Sequence, residues 1–127
     1  MILNLTDISS EPLQSQIVRQ VRAKILAGEL PAETSLPSIR QLARDHHVSV
    51  ITVQRAYESL LRDNLIHSRR GKGFFVSHLP DHEKRDKARQ RLAETLEKPI
   101  SDAVDEGMSV DDIREIVEKI IKKLDIE

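Results

Sequence analysis

The chain has no cysteine and no tryptophan, and aromatic residues make up only 2% of its 127 positions. Disulfides, thiolate metal sites and cysteine nucleophiles are therefore excluded. There are only four glycines, and no Gly-rich phosphate loop is present. Neither an H-E-x-x-H helix nor a nucleophile elbow occurs. No apolar run approaches the ~20 residues needed to cross a bilayer. Met1-Ile2-Leu3-Asn4 lacks the charged and apolar regions of a signal peptide. A soluble, cytoplasmic protein is the expectation, with no membrane partner. The net charge of -1 excludes a uniformly basic coat but leaves room for a local patch.

What is present is unevenly distributed. Residues 1–80 carry 10 Lys/Arg against 7 Asp/Glu, whereas residues 81–127 carry 10 against 14. From Arg40 to Lys72 there are 7 basic and 3 acidic residues. A basic segment followed by an acidic tail suggests two jobs, the first with an anionic partner. The plainer alternative is that these charges are solvated faces. The hydrophobic fraction of 39% suffices for a packed domain with an appendage.

Residues 2–8 alternate and suit a short extended arm. Leu13, Ile17, Val21 and Ile25 recur every four residues, which predicts an amphipathic helix after Pro12 and before Gly28. Thr34-Ser35-Leu36 is β-permissive. Ser38 then caps a second helix with Ile39, Leu42 and Ala43 inward. His46-His47-Val48 breaks that pattern, and Ser49 caps a third helix running to about Asn64. Val53, Ala56, Tyr57, Leu60 and Leu61 share one face of it. Two β-like segments follow, residues 65–68 and 74–77, joined by Arg69-Arg70-Gly71-Lys72-Gly73. Residues 79–81 read as a linker. The remainder reads as helical, with Pro99 predicting a kink or a split into two helices. Gly107 is a stop, and Ser109 with Asp112 resembles a capping box.

Helix, short strand, helix, helix, hairpin is the order of a winged helix–turn–helix. The expected fold class is mainly α (α+β), with this domain over residues 1–79 and a two-helix dimerisation tail over 80–127. A third helix of about 20 Å can lie in a DNA major groove. Its face away from the core holds Ser49, Ile51, Thr52, Gln54, Arg55, Ser59 and Arg62. Short hydroxyls at its start approach bases and phosphates closely, Gln54 suits adenine, and Arg55 suits guanine or a phosphate. Simple N-capping is the alternative for Ser49, and solvated surface the alternative for Arg55 and Arg62. On the hairpin tip, Arg69, Arg70 and Lys72 sit among glycines that permit close backbone approach. An ordinary turn that merely needs glycine is the competing explanation.

Five blocks in order resemble the GntR-type bacterial transcription regulators: Pro12-Leu13-Gln14-Ser15-Gln16-Ile17, Ile25-Leu26-Ala27-Gly28-Glu29-Leu30-Pro31, Leu36-Pro37-Ser38-Ile39-Arg40-Gln41-Leu42-Ala43, Val48 to Tyr57, and Gly71-Lys72-Gly73-Phe74-Phe75-Val76. Only about 50 residues follow, so the chain looks like the family's short YtrA-type branch. That resemblance implies a homodimeric operator-binding repressor, often of transporter operons. It implies a phosphate clamp at Arg40, reading positions at Ser49, Thr52 and Gln54, and a wing tip at Arg70, Gly71 and Lys72. Many relatives have arginine where this chain has Val50, and a thymine methyl contact can replace it. Many have glycine where this chain has Ala32. The DNA-facing set is then Ser38, Arg40, Ser49, Val50, Thr52, Gln54, Arg55, Arg70, Gly71 and Lys72.

The tail carries Leu92 and Leu96, then Ile113, Ile116, Val117, Ile120, Ile121 and Leu124 in a stripe. Two helices cannot hide that stripe alone, so a second copy is the expected cover, with packing on the first domain as the alternative. No cofactor or metal is expected: His46 and His47 diverge, and His78 and His82 lie near the linker. The remaining expected partners are double-stranded operator DNA and an unidentified small-molecule effector, for which no pocket is legible. A protein-binding winged-helix adaptor is the rival to DNA binding. A catalyst is the weaker rival, since no constellation of catalytic groups is legible.

Overall fold

The computed structural model describes residues 1–124 and 126. It resolves into two compact units, Met1–Lys84 and Arg85–Glu127. In the first, α1 (Leu13–Leu26) turns Ile17, Val21 and Ile25 into the core. Pro12 precedes its first residue with φ -56, the value its ring enforces. Helix α2 (Ile39–His46) starts where the Ser38 side chain accepts the Gln41 amide at 3.1 Å. It ends because His47 adopts φ 54, left-handed backbone that cannot continue a helix. Two residues later Ser49 opens α3 (Val50–Arg62), accepting the Thr52 amide at 3.0 Å. The turn between α2 and α3 is thus built from one left-handed residue and one cap.

Helices α1 and α2 both pack on α3, which inserts Val53, Ala56, Tyr57 and Leu60 between them. These residues, with Leu36, Leu42, Leu65, Ile66 and Val76, form a single core. Strands β1 (Ile66–Arg69) and β2 (Gly73–Val76) pair antiparallel, with Ile66 opposite Val76 and Arg69 opposite Gly73. The Lys72 amide donates to Arg69 O at 2.9 Å, closing a four-residue turn. Gly71, with φ 75, fills the position of that turn where positive φ is needed.

The β-permissive segment before α2 runs beside β2 and joins it through an isolated antiparallel bridge between Ser35 and Phe75. The Leu36 amide donates to Phe74 O and the Val76 amide to Thr34 O, both at 2.9 Å. In the connection, besides Gly28 at φ 84, Glu33 is left-handed, at φ 67, and its neighbour Ala32 is not.

The N-terminal arm is docked along α1. Leu3 is buried, and its amide donates to His46 Nε2 at 3.2 Å. The other ring nitrogen of His46 faces Leu42 O at 3.2 Å, so the neutral Nδ1–H tautomer satisfies both contacts. Buried Gln16 accepts the Thr6 amide at 3.0 Å and donates to Thr6 O at 2.7 Å.

Two tail expectations need correction. Residues 79–81 are not a linker, because Leu79 is buried and Asp81 already begins α4 (Asp81–Asp105). Of the two alternatives expected at Pro99, a kink or a split, the split does not occur: the proline lies inside one helix. Its ring removes one amide donor, and the turns on either side carry the helix through. Gly107, at φ 90, ends the run. Helix α5 (Val110–Lys123) opens with a reciprocal capping box, in which the Asp112 amide donates to Ser109 Oγ at 3.1 Å. Aspartate is short for that role, and the return contact from the Ser109 amide is long, at 3.4 Å.

Candidate nucleic-acid interface

The exposed side of α3 begins with a hydroxyl pair. Ser49 Oγ and Thr52 Oγ1 are 2.7 Å apart, and the same Ser49 oxygen caps the helix. Ser49 therefore serves as the cap whether or not it touches a ligand. Beside this pair stand two apolar side chains, Val50 at 43% and Ile51 at 59% exposure. Gln54 is exposed, and its side-chain amide donates one hydrogen bond to Glu58 Oε1 at 3.3 Å. Arg55 is exposed on the same helix.

Helix α2 contributes exposed Ser38 and Arg40. A shallow groove between α2 and α3 is lined by Arg40, Ala43, Arg44, Val48 and Val50. Arg44 is a basic residue that the sequence reading passed over. Its signal was there: it stands four residues after Arg40, one helical turn along the same face. Ile51 was noted on the outer face but left out of the DNA-facing set.

The hairpin tip presents Arg70, Gly71 and Lys72, all exposed. Arg69 behaves differently from its neighbours. Its guanidinium donates to Glu33 Oε2 and lies 4.7 Å over the Phe75 ring. The expected trio of cations is thus two at the tip and one at the root, already paired. His67, on the same strand, has Nε2 3.7 Å from Glu33 Oε2.

Helix α3 and the wing are tied together beneath this surface. Tyr57 meets Phe74 edge-on, with centroids 5.0 Å apart, and its hydroxyl donates to Pro37 O at 2.7 Å. Burial pushes the phenol pKa well above its ordinary value. That one side chain joins the helix, the segment before α2 and strand β2.

In the second unit, α4 and α5 bury none of their residues. Leu92, Leu96, Ile116, Val117, Ile120, Ile121 and Leu124 are exposed, and Ile113 is half-buried. Among the described residues, no group of three His, Cys, Asp or Glu side chains converges as a metal site. No helix among them is long and apolar enough to cross a membrane.

Comparison with known proteins places this arrangement. The family of bacterial regulatory proteins, gntR family, matches residues 13–76. The chain is 30% identical over 112 residues to the HTH-type transcriptional repressor YtrA of Bacillus subtilis, spanning 88% of this chain and 86% of that protein. It is 44% identical over 69 residues to the probable rhizopine catabolism regulatory protein MocR of Rhizobium meliloti, but spans only 14% of that protein's length. Among solved structures, YtrA from Sulfolobus acidocaldarius, a GntR-family transcription factor, matches with a TM-score of 0.60 and 29% identity, over 76% of this chain and 98% of that one. The relatives are transcriptional regulators, and the chain belongs to the GntR family in its YtrA-type branch.

Proposed function

We propose that the chain is a homodimeric repressor that binds a pseudo-palindromic DNA operator. In this reading residues 1–79 bind DNA and residues 80–127 join two copies. Helix α3 enters the major groove with Ser49, Val50, Thr52, Gln54 and Arg55 toward the bases. Ser38 and Arg40 meet the phosphates, and Arg70, Gly71 and Lys72 reach flanking backbone. One winged domain covers few base pairs. Two linked copies gain affinity through effective concentration, with half-sites about one helical turn apart. Occupying a promoter in this way excludes polymerase. An effector would act by changing the spacing of the two heads.

The observation that carries the reading is a contrast between the two units. The first closes a complete core and leaves cations and polar side chains outside. The second exposes an apolar stripe, with Ile116 at 47%, Ile120 at 51% and Leu124 at 62%. A stripe of that kind needs a cover, and a symmetric second copy supplies one. The name repressor, carried by the Bacillus subtilis relative, supports the direction of regulation.

Salt-titrated binding to duplexes selected from a random pool tests the proposal. Phosphate-driven binding weakens steeply as salt rises. Arg40→Ala weakens binding to all sequences and shallows the salt slope by about one. Gln54→Ala instead relaxes preference at particular base pairs. No duplex binding at low salt would replace this reading with the protein-adaptor one.

A further inference from the structure

The root of the wing is held by Glu33, in the segment between α1 and α2. Its φ of 67 is a left-handed conformation that carries a steric cost for any side chain. Such backbone persists where its surroundings over-determine it. The Glu33 amide donates to Val76 O at 2.8 Å, on strand β2. Its carboxylate accepts from Arg69 and stands 3.7 Å from His67 Nε2, both on β1. Arg69 also covers the Phe75 ring at 4.7 Å, and His67 stacks on that ring with centroids 6.0 Å apart. One acidic residue thus touches both strands of the wing. The arginine it holds is committed twice, to an anion and to an aromatic face.

We propose that Glu33 is a positioning residue for DNA binding: it clamps the wing to the segment ahead of α2 and withholds Arg69 from phosphate. The wing then meets DNA with Arg70 and Lys72 alone. This rests on the reading that the wing contacts DNA. A guanidinium already neutralised by a carboxylate displaces no counterion from the duplex. Each Lys or Arg that does neutralise a phosphate contributes about 0.9 to the slope of log affinity against log salt. Fixing the root also removes ordering cost at the moment of binding, because the tip starts from a defined place.

The test uses the full chain and a random-sequence duplex, with anisotropy followed across a salt range. Arg70→Ala and Lys72→Ala each shallow the slope by about 0.9, whereas Arg69→Ala leaves it as in the parent chain. In Glu33→Gln the freed Arg69 takes a phosphate and the slope steepens by about 0.9; adding Arg69→Ala to that variant reverses the change. A purely structural pair would shift the melting temperature of these variants without changing which arginine sets the slope. Arg69→Ala shallowing the slope as much as Arg70→Ala overturns the proposal, as does an unchanged slope in Glu33→Gln. Should Arg70→Ala and Lys72→Ala also leave the slope unmoved, the wing is off the DNA and the parent reading falls with it.

Discussion

The Tyr57 hydroxyl donates to Pro37 O at 2.7 Å from within the core. Tyr57→Phe strands that carbonyl and is expected to cost about 1 kcal/mol, read from urea denaturation. Its raised pKa also predicts a pH dependence. The folded state holds the phenolic proton more tightly than the unfolded chain does. The contribution is therefore complete below the free phenol's value of 10.0 and is lost as pH rises through the folded value. Alkaline destabilisation should shrink in Tyr57→Phe. The chain has one tyrosine, so tyrosinate absorbance reports this group directly. At Val50, 43% exposed, the expected partner is a thymine methyl, the apolar feature of the major groove. Replacing thymine by uracil removes that methyl and no hydrogen bond. Affinity of the parent chain for a selected operator should fall several-fold at one or two positions, and Val50→Ala should be indifferent to the exchange. Equal binding of the parent to both duplexes removes the contact.

Elements in this chain are delimited by caps more than by propensity. Helix α3 illustrates this: Val50, Ile51 and Val53 are β-branched, and it forms because Ser49 Oγ accepts the Thr52 amide while Val53, Ala56, Tyr57 and Leu60 are buried. Ser49→Ala is expected to cost about 1 kcal/mol in thermal or urea unfolding, with or without DNA. Helices and hairpin were legible because caps, apolar stripes and glycine turns are local signals. The isolated bridge beside β2 was only hinted at by Thr34-Ser35-Leu36, since the hydrogen bonds to Phe74 and Val76 span some forty residues of sequence. The linker was misplaced because Pro80 and Asp81 suit a helix start as well as a loop.

For the whole molecule the decisive quantity is the apolar surface of α4 and α5. If a second copy covers it, Ile116→Glu with Ile120→Glu yields monomers in sedimentation, since burying a charge against an apolar partner is costly. Operator affinity should then fall on the order of 100-fold as the bivalent advantage is lost. The melting temperature of the parent chain should rise with protein concentration, and that of the double variant should not. A dimer that survives both substitutions removes the proposed interface.

The chain's elements, core stripes, caps and family blocks were set by spacings of three to four residues or by adjacent pairs, and so were present in the sequence itself. Only tertiary structure decided which polar side chains were already engaged. Glu33 and Arg69 are separated by 36 residues, and Leu3 and His46 by 43. No local pattern marks such partners, because their meeting depends on how α1 and α3 pack and where the hairpin folds back. Periodicity states which face of an element is apolar. It does not state which charge on the other face will find an opposite charge brought near by the fold.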